Sequence, residues 1–130
     1  MARVTNSHKD LIVWQKSMNL VTEIYKLVKF LPKSETYALS DQMRRAVISI
    51  ASNIAEGKGR DSTREYIHFL NVARGSCFEL DTQISACVLV EYLSEKDVAT
   101  SFELLNEIGK MLNAMISKLK LKLEREGKNP

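Results

Sequence analysis

The chain has 130 residues, which is long enough for one domain to bury a core without disulfides or a structural metal. Its 45% hydrophobic and 27% charged residues are the ordinary balance of a globular protein, and no uncharged run approaches the ~20 apolar residues that a membrane-spanning helix needs. The net charge is +3, and the charged residues are unevenly distributed along the chain. Positions 1–74 contain 12 basic and 7 acidic residues, whereas positions 75–130 contain 7 basic and 9 acidic residues. This asymmetry permits a basic patch that faces an anionic partner.

The chemistry of the first residues and of the cysteines indicates the compartment. Lys9 and Asp10 interrupt any signal-peptide pattern before an apolar core begins. Cys77 and Cys87 fall ten residues apart in one predicted helix, ~15 Å along its axis and on different faces, so a disulfide between them is excluded. We therefore expect a single-domain cytoplasmic protein with free, buried cysteines and no membrane contact.

The first half of the chain predicts two helices. Apolar residues at helical spacing predict the first over about residues 10–31, with Asp10 as its cap and Pro32 as its stop. The second is predicted over about residues 35–56, with Ser34 as a cap and Gly57 as its end. The scarcity of breakers, five glycines and two prolines, supports helices of this length.

The second half predicts two longer helices. Ser62 and Glu65 have capping-box spacing at the start of a helix over about residues 62–92, and Ser94 and Asp97 repeat that pattern before a helix over about residues 95–125. Short connections between four long helices predict an all-α fold, an antiparallel up-down-up-down four-helix bundle that forms one domain over residues 1–130.

The first and fourth helices each carry two apolar seams side by side. A lone bundle needs one stripe per helix, and a second stripe leaves apolar area in water unless another protomer covers it. The pattern favours a self-associated bundle, and the alternative is a thicker core.

The second helix has an unusual polar face. It carries Ser, Asn and Gln where an ordinary surface helix carries Lys and Glu, and a similar row follows Gly75 in the third helix. We hypothesise that the two rows meet in a hydrogen-bonded contact that fixes register between helices or subunits, with close helix approach at Gly75; the alternative is that both rows face solvent. The candidate residues are Gln42, Ser49, Asn53, Glu56, Gly75, Ser76 and Glu79.

Basic residues supply candidate contacts to an anion. Those most suited to nucleic-acid phosphates are Arg44, Arg45, Lys58, Arg60 and Arg64. A second basic group in the last helix comprises Lys118, Lys120, Lys122 and Arg125. Few aromatic residues fall outside core positions, so contacts would be directed at the nucleic-acid backbone rather than at stacked bases. The alternative is that these charges only solvate helix faces.

No pattern in the sequence predicts catalysis. Glu65-x-x-His68 is half of a di-iron ligand motif, but the second half is missing because His8 has no Glu three residues upstream. Gly57-Lys58-Gly59 follows a helix rather than a strand and does not complete a P-loop. We expect no catalytic residue, no metal and no cofactor, and hence a protein that is not an enzyme.

Several segments together resemble a known family, the small four-helix-bundle proteins first recognised in intervening sequences of bacterial 23S ribosomal RNA genes. The resemblance covers about Leu11 to Leu119, and its motifs are Leu11–Lys16, Gln42–Ala46 with Ser49-Ile50, Asn53-Ile-Ala-Glu-Gly57 and Ala73-x-Gly75-Ser76-x-x-Glu79-Leu80. It implies an antiparallel bundle that forms homopentamers, and a relation to accessory proteins of diversity-generating retroelements, which bind nucleic acid and contact a reverse transcriptase. It offers no catalytic residues.

Two functions follow as expectations. The first is a non-enzymatic homo-oligomer that binds RNA or DNA through its basic residues. The alternative is a protein-interaction scaffold, an accessory subunit for an RNA-handling enzyme such as a reverse transcriptase, without direct nucleic-acid binding.

Overall fold

Four long α-helices make up the computed structural model, which describes residues 7–128, and no strand occurs in that range. They are α1 (Ile12–Val28), α2 (Leu39–Lys58), α3 (Thr63–Leu89) and α4 (Glu95–Lys128). Short 3₁₀ turns at His8–Asp10 and Lys33–Glu35 precede α1 and α2. The predicted all-α class with four helices is confirmed.

The helices close around a shared core. Each one packs against two others, in the ring order α1, α2, α3, α4 and back to α1. Leu20, Met43, Leu80 and Leu112, one from each helix, are fully buried at the centre. Burial of such side chains stabilises the fold by about 1.5–3 kcal/mol each. No helix among residues 7–128 combines the length and apolar character needed to cross a membrane.

The first helix begins later than the sequence predicts. Ser7 caps the preceding 3₁₀ turn, and its side chain accepts a hydrogen bond from the Lys9 N–H at 3.1 Å. Asp10 lies inside that turn, and the extended Leu11 is the residue before α1, with no side-chain cap. The prediction that Asp10 caps α1 is therefore wrong, because the chain turns once before the helix starts.

The second helix also begins later, at Leu39 rather than at Glu35. Glu35 belongs to a 3₁₀ turn, and one oxygen of its carboxylate accepts from the Leu39 N–H at 3.4 Å while the other accepts from the Tyr92 hydroxyl at 2.9 Å. The Arg44 guanidinium donates to the Thr36 carbonyl at 3.3 Å. Ser34 is exposed and does not cap α2. Contacts from outside the segment thus decide where α2 starts.

Capping boxes begin α3 and α4 where the sequence places them. The Ser62 hydroxyl accepts from the Glu65 N–H at 3.2 Å. The Ser94 N–H donates to the Asp97 carboxylate at 2.9 Å, and the Asp97 N–H donates to the Ser94 hydroxyl at 3.1 Å. Hydrogen bonding of the Ser94 backbone and side chain to the carboxylate holds the pKa of Asp97 below its usual value. The α3 helix ends at Leu89 rather than at residue 92, and Glu91 with φ 65° makes the turn that follows.

The α2 and α3 helices are in close contact at Gly57. It was predicted to end α2, but the helix continues to Lys58 and Gly57 is buried inside it. A Cβ atom there would lie 2.9 Å from Tyr66 Cδ1 and 3.0 Å from Phe69 Cβ. At Gly75, where the sequence suggested close approach, an added Cβ would meet nothing within 4 Å in the chain itself.

Alanine substitutions at these two glycines should have opposite effects on stability. Gly57→Ala should destabilise the fold by about 1–3 kcal/mol, because the Tyr66 and Phe69 atoms cannot move without shifting α3. Gly75→Ala, the matched control in open space, should stabilise it by about 0.5–1 kcal/mol through helix propensity. Chemical denaturation measures both. Equal effects of the two substitutions would contradict the close approach at Gly57.

Candidate functional site

A polar contact joins the middle of α2 to the middle of α3. The Ser49 and Ser76 hydroxyl oxygens lie 2.8 Å apart in a hydrogen bond. The Asn53 side-chain amide donates to the Ser49 carbonyl at 2.8 Å and to the Ser49 hydroxyl at 3.0 Å. All three side chains are half-buried. The two polar rows meet at Ser49 and Ser76, whereas the hydrogen bonds of Asn53 stay within α2.

The other members of those rows do not join this contact. Gln42, Glu56 and Glu79 are exposed, and within residues 7–128 Glu79 has no hydrogen-bond or ion-pair partner. Glu56 pairs instead with Arg60 one turn later, at 3.1 Å. Gly75 is exposed beside Ser76. Within the chain, the polar contact is therefore smaller than the sequence pattern suggests.

The second feature is a basic cleft where the α2–α3 connection meets the last turns of α4. The cleft encloses about 420 Å³, within the range of small-ligand pockets. We call it the basic cleft, because five basic residues and one acidic residue line it. Its lining is Lys58, Arg60, Asp61, Ser62, Thr63 and Tyr66 from the connection and α3, with Lys118, Leu119, Lys122 and Arg125 from α4.

The five cations of the cleft differ in how they are held. Arg60 is paired with Glu56 at 3.1 Å and Glu65 at 3.8 Å, and its guanidinium lies 5.0 Å from the centre of the Phe69 ring. Lys122 is 3.9 Å from Glu126. The remaining three, Lys58, Lys118 and Arg125, make no ion pair with any residue between 7 and 128. These three charges are free to meet an anion.

The walls of the cleft also contain apolar side chains. Tyr66 and Leu119 are half-buried and contribute apolar surface between the charged residues. Burial raises the pKa of the Tyr66 hydroxyl, which stays neutral. Thr63 donates to Glu126 at 3.0 Å and so ties the start of α3 to the end of α4. The cleft is held between two connected helices.

The remaining predicted anion contacts lie elsewhere. Arg44 and Arg45 line a separate groove of about 450 Å³ between α1 and α2, where Arg45 pairs with Asp41 at 2.9 Å. They precede Lys58 by about 13 residues of helix, or ~20 Å. Arg64 is exposed but does not line the cleft. The five predicted cations therefore do not form one site, because only Lys58 and Arg60 line the basic cleft.

Spacing could have selected the α4 cations of the cleft. Lys118, Lys122 and Arg125 stand at i, i+4 and i+7, which places them on one helix face, whereas Lys120 is rotated away and does not line the cleft. The sequence around these three residues does not predict that they face the α2–α3 connection, because their direction depends on how α4 packs against the other helices.

The titratable groups of the core are poorly suited to nucleophilic chemistry. Burial raises the pKa of the Cys77 thiol to about 12, and burial together with the Glu35 charge raises that of Cys87 to about 11. Both cysteines are free, as predicted, and both stay protonated near neutral pH. Glu65 and His68 are exposed, and residues 7–128 contain no group of three or more His, Cys, Asp or Glu side chains placed to hold a metal ion.

Comparison with known proteins identifies similar chains. The profile of the family described as 23S rRNA-intervening sequence protein matches residues 9–114. Among solved structures, a protein of unknown function from the S23 ribosomal protein family of Bacteroides thetaiotaomicron VPI-5482 is 27% identical with a TM-score of 0.75, and the match covers 81% of this chain and 98% of that one. No curated protein matches the chain.

Removal of the Asn53 amide should weaken the polar contact between α2 and α3 indirectly, because that amide holds the Ser49 hydroxyl that bonds to Ser76. Asn53→Leu loses both hydrogen bonds to Ser49 and should lower the free energy of unfolding by about 1–2 kcal/mol. Ser52→Ala, at the exposed neighbouring position, should change it by less than about 0.5 kcal/mol. Denaturation midpoints and the particle mass from light scattering test this. If Asn53→Leu leaves both unchanged, the polar contact has no structural role.

Proposed function

Because the chain belongs to the 23S rRNA-intervening sequence protein family, we propose that it is a non-enzymatic, antiparallel helical bundle that assembles with itself and binds RNA or DNA through the basic cleft. The observation that carries the proposal is the convergence of basic residues from two distant parts of the chain. Lys58 and Arg60 come from the α2–α3 connection, and the α4 cations follow some 60 residues later.

Phosphate binding is the chemistry that this cleft supports best. Nucleic-acid binding without sequence preference rests on lysine and arginine contacts to backbone phosphates, with release of counterions. Three cations that have no carboxylate partner within residues 7–128 meet that requirement. The single aromatic residue of the lining, Tyr66, is half-buried, so the cleft lacks the stacking platform with which base-reading proteins hold single strands. The contacts are directed at phosphates.

Self-assembly is supported by the outer face of α1. Of its two apolar seams, one supplies the buried Leu20 and Ile24, and the other leaves Met18 and Tyr25 at 38% and 41% exposure. Covering that strip with a second copy removes apolar surface from water. A pentamer is the number that the family resemblance implies. A ring of identical clefts binds a long strand more tightly than one cleft through effective concentration.

The antiparallel order of the helices is supported by pairs of contacting residues. Between α2 and α3, Gly57 faces Tyr66, Ser49 faces Ser76 and Met43 faces Cys87. Positions later in α2 thus meet positions earlier in α3. Between α3 and α4, Thr63 contacts Glu126 and Arg74 contacts Asn113 in the same reversed order.

A second candidate function, a scaffold for an RNA-handling enzyme such as a reverse transcriptase, is favoured by the α1–α2 groove. Tyr25, Ile48, Arg44 and Arg45 line it, and aromatic and arginine side chains are enriched at protein interfaces. A partner seated there would not need the basic cleft.

Loss of one cleft lysine should weaken nucleic-acid binding in a salt-dependent way. Lys118→Ala should lower the affinity for single-stranded oligonucleotides and make the slope of log K against log salt shallower by about 0.7. Lys120→Ala removes the same charge from the same helix outside the cleft and should leave the slope near that of the wild type. Filter binding at rising salt measures both variants.

Two results would contradict this assignment. An equal loss of affinity in the two variants would show that binding depends on the overall positive charge of the surface and not on the cleft. No binding by the wild type even at low salt would refute nucleic-acid binding and favour the scaffold function.

The oligomeric state should depend on Tyr25. Light scattering of the wild type should give about five times the 14.8 kDa chain mass. Tyr25→Lys places a charge on the outer α1 seam and should shift the particle towards the monomer. Tyr37→Lys is the control, because Tyr37 is 95% exposed and lies outside the helices. A monomeric wild type would overturn the proposed assembly.

A further inference from the structure

The basic cleft is concave and closed by two helices. One wall is the α2–α3 connection with the first turn of α3, and the other is the last turns of α4. Its volume of about 420 Å³ suits a small charged group and its first neighbours. A duplex presents its phosphates on a convex surface, so it can touch the rim of such a cleft but cannot enter it.

The positive charge in the cleft exceeds the single negative charge of one phosphodiester. Besides the three cations that make no ion pair within residues 7–128, the first turn of α3 contributes a backbone N–H group. The first intrahelical bond is donated by the Tyr66 N–H to the Ser62 carbonyl, and the Ser62 hydroxyl accepts from the Glu65 N–H. The N–H group of Thr63, a residue of the cleft lining, precedes that bond and lies at the positive end of a 27-residue helix.

We propose that the basic cleft recognises the terminal phosphate monoester of a nucleic-acid strand in preference to internal phosphodiesters. This inference rests on the proposed function, since it assumes that the same cleft is the nucleic-acid site. It adds the chemical group that is bound.

Charge and shape favour the monoester. A terminal phosphate carries about −1.5 to −2 charges near pH 7 and three acceptor oxygens, whereas an internal diester carries one charge. Lys58, Lys118 and Arg125 together balance the larger charge without taking Arg60 from its carboxylate partners. An end has one neighbouring nucleotide and can enter a concave cleft, whereas an internal phosphate must bring a nucleotide on each side.

Three short single-stranded oligonucleotides of one sequence test the proposal, bearing a 5′-phosphate, a 3′-phosphate or hydroxyls at both ends. Fluorescence anisotropy should show about tenfold tighter binding of at least one phosphorylated oligonucleotide, as expected for added charge-assisted hydrogen bonds. Lys118→Ala should remove that preference, and Lys120→Ala should keep it. Circular dichroism verifies that both variants fold, which their exposed side chains lead us to expect.

The outcomes separate this inference from the proposed function. Equal, salt-dependent binding of all three oligonucleotides would overturn the terminal-phosphate preference and leave nucleic-acid binding intact. A preference that persists in Lys118→Ala would overturn its location in the cleft. No binding of any oligonucleotide would refute both. A preference for one phosphorylated end identifies which terminus the cleft accepts.

Discussion

The close packing of α2 on α3 at Gly57 is the constraint on which the candidate site depends. Without a side chain at this position, the α2 backbone comes within contact of Tyr66 and of the Phe69 Cβ. The connection between the two helices is short and runs from Gly59 to Ser62. Lys58 and Arg60 are therefore held beside the first turn of α3 and opposite the end of α4.

The polar contact at Ser49 and Ser76 complements the one at Gly57 and lies about two turns earlier in α2. Hydrogen bonds are directional, so this contact favours one register of α2 against α3, which apolar side chains alone specify less strictly. Register matters for the site because sliding α3 by one turn would move its first N–H groups away from Lys58. The position of the anion-binding candidate is thus set by packing and polar contacts in the body of the bundle.

The charges of the chain serve two different surfaces. Arg44 and Arg45 are committed to Thr36 and Asp41 near the start of α2, and they border a groove with Tyr25 and Ile48. The basic cleft, by contrast, contains three cations that pair with no carboxylate in the described part of the chain, residues 7–128. The two surfaces lie about 13 residues, or ~20 Å, apart along α2.

What the sequence determined by itself is local. Apolar spacing predicted the four helices, the Ser62 and Ser94 capping boxes predicted two of their starts, and small polar residues predicted that Ser49 and Ser76 would meet. Helix periodicity and capping involve neighbours within a few residues, so they can be read along the chain.

Which distant residues lie together depends on packing that no local pattern encodes. The start of α2 depends on Glu35 bonding to Tyr92, 57 residues away, and close approach occurs at Gly57 rather than at Gly75. The basic cleft arises because the end of α4 packs beside the α2–α3 connection. Spacing places Lys118 and Lys122 on one face of α4, but only the packing of that helix determines that the face is turned towards Lys58.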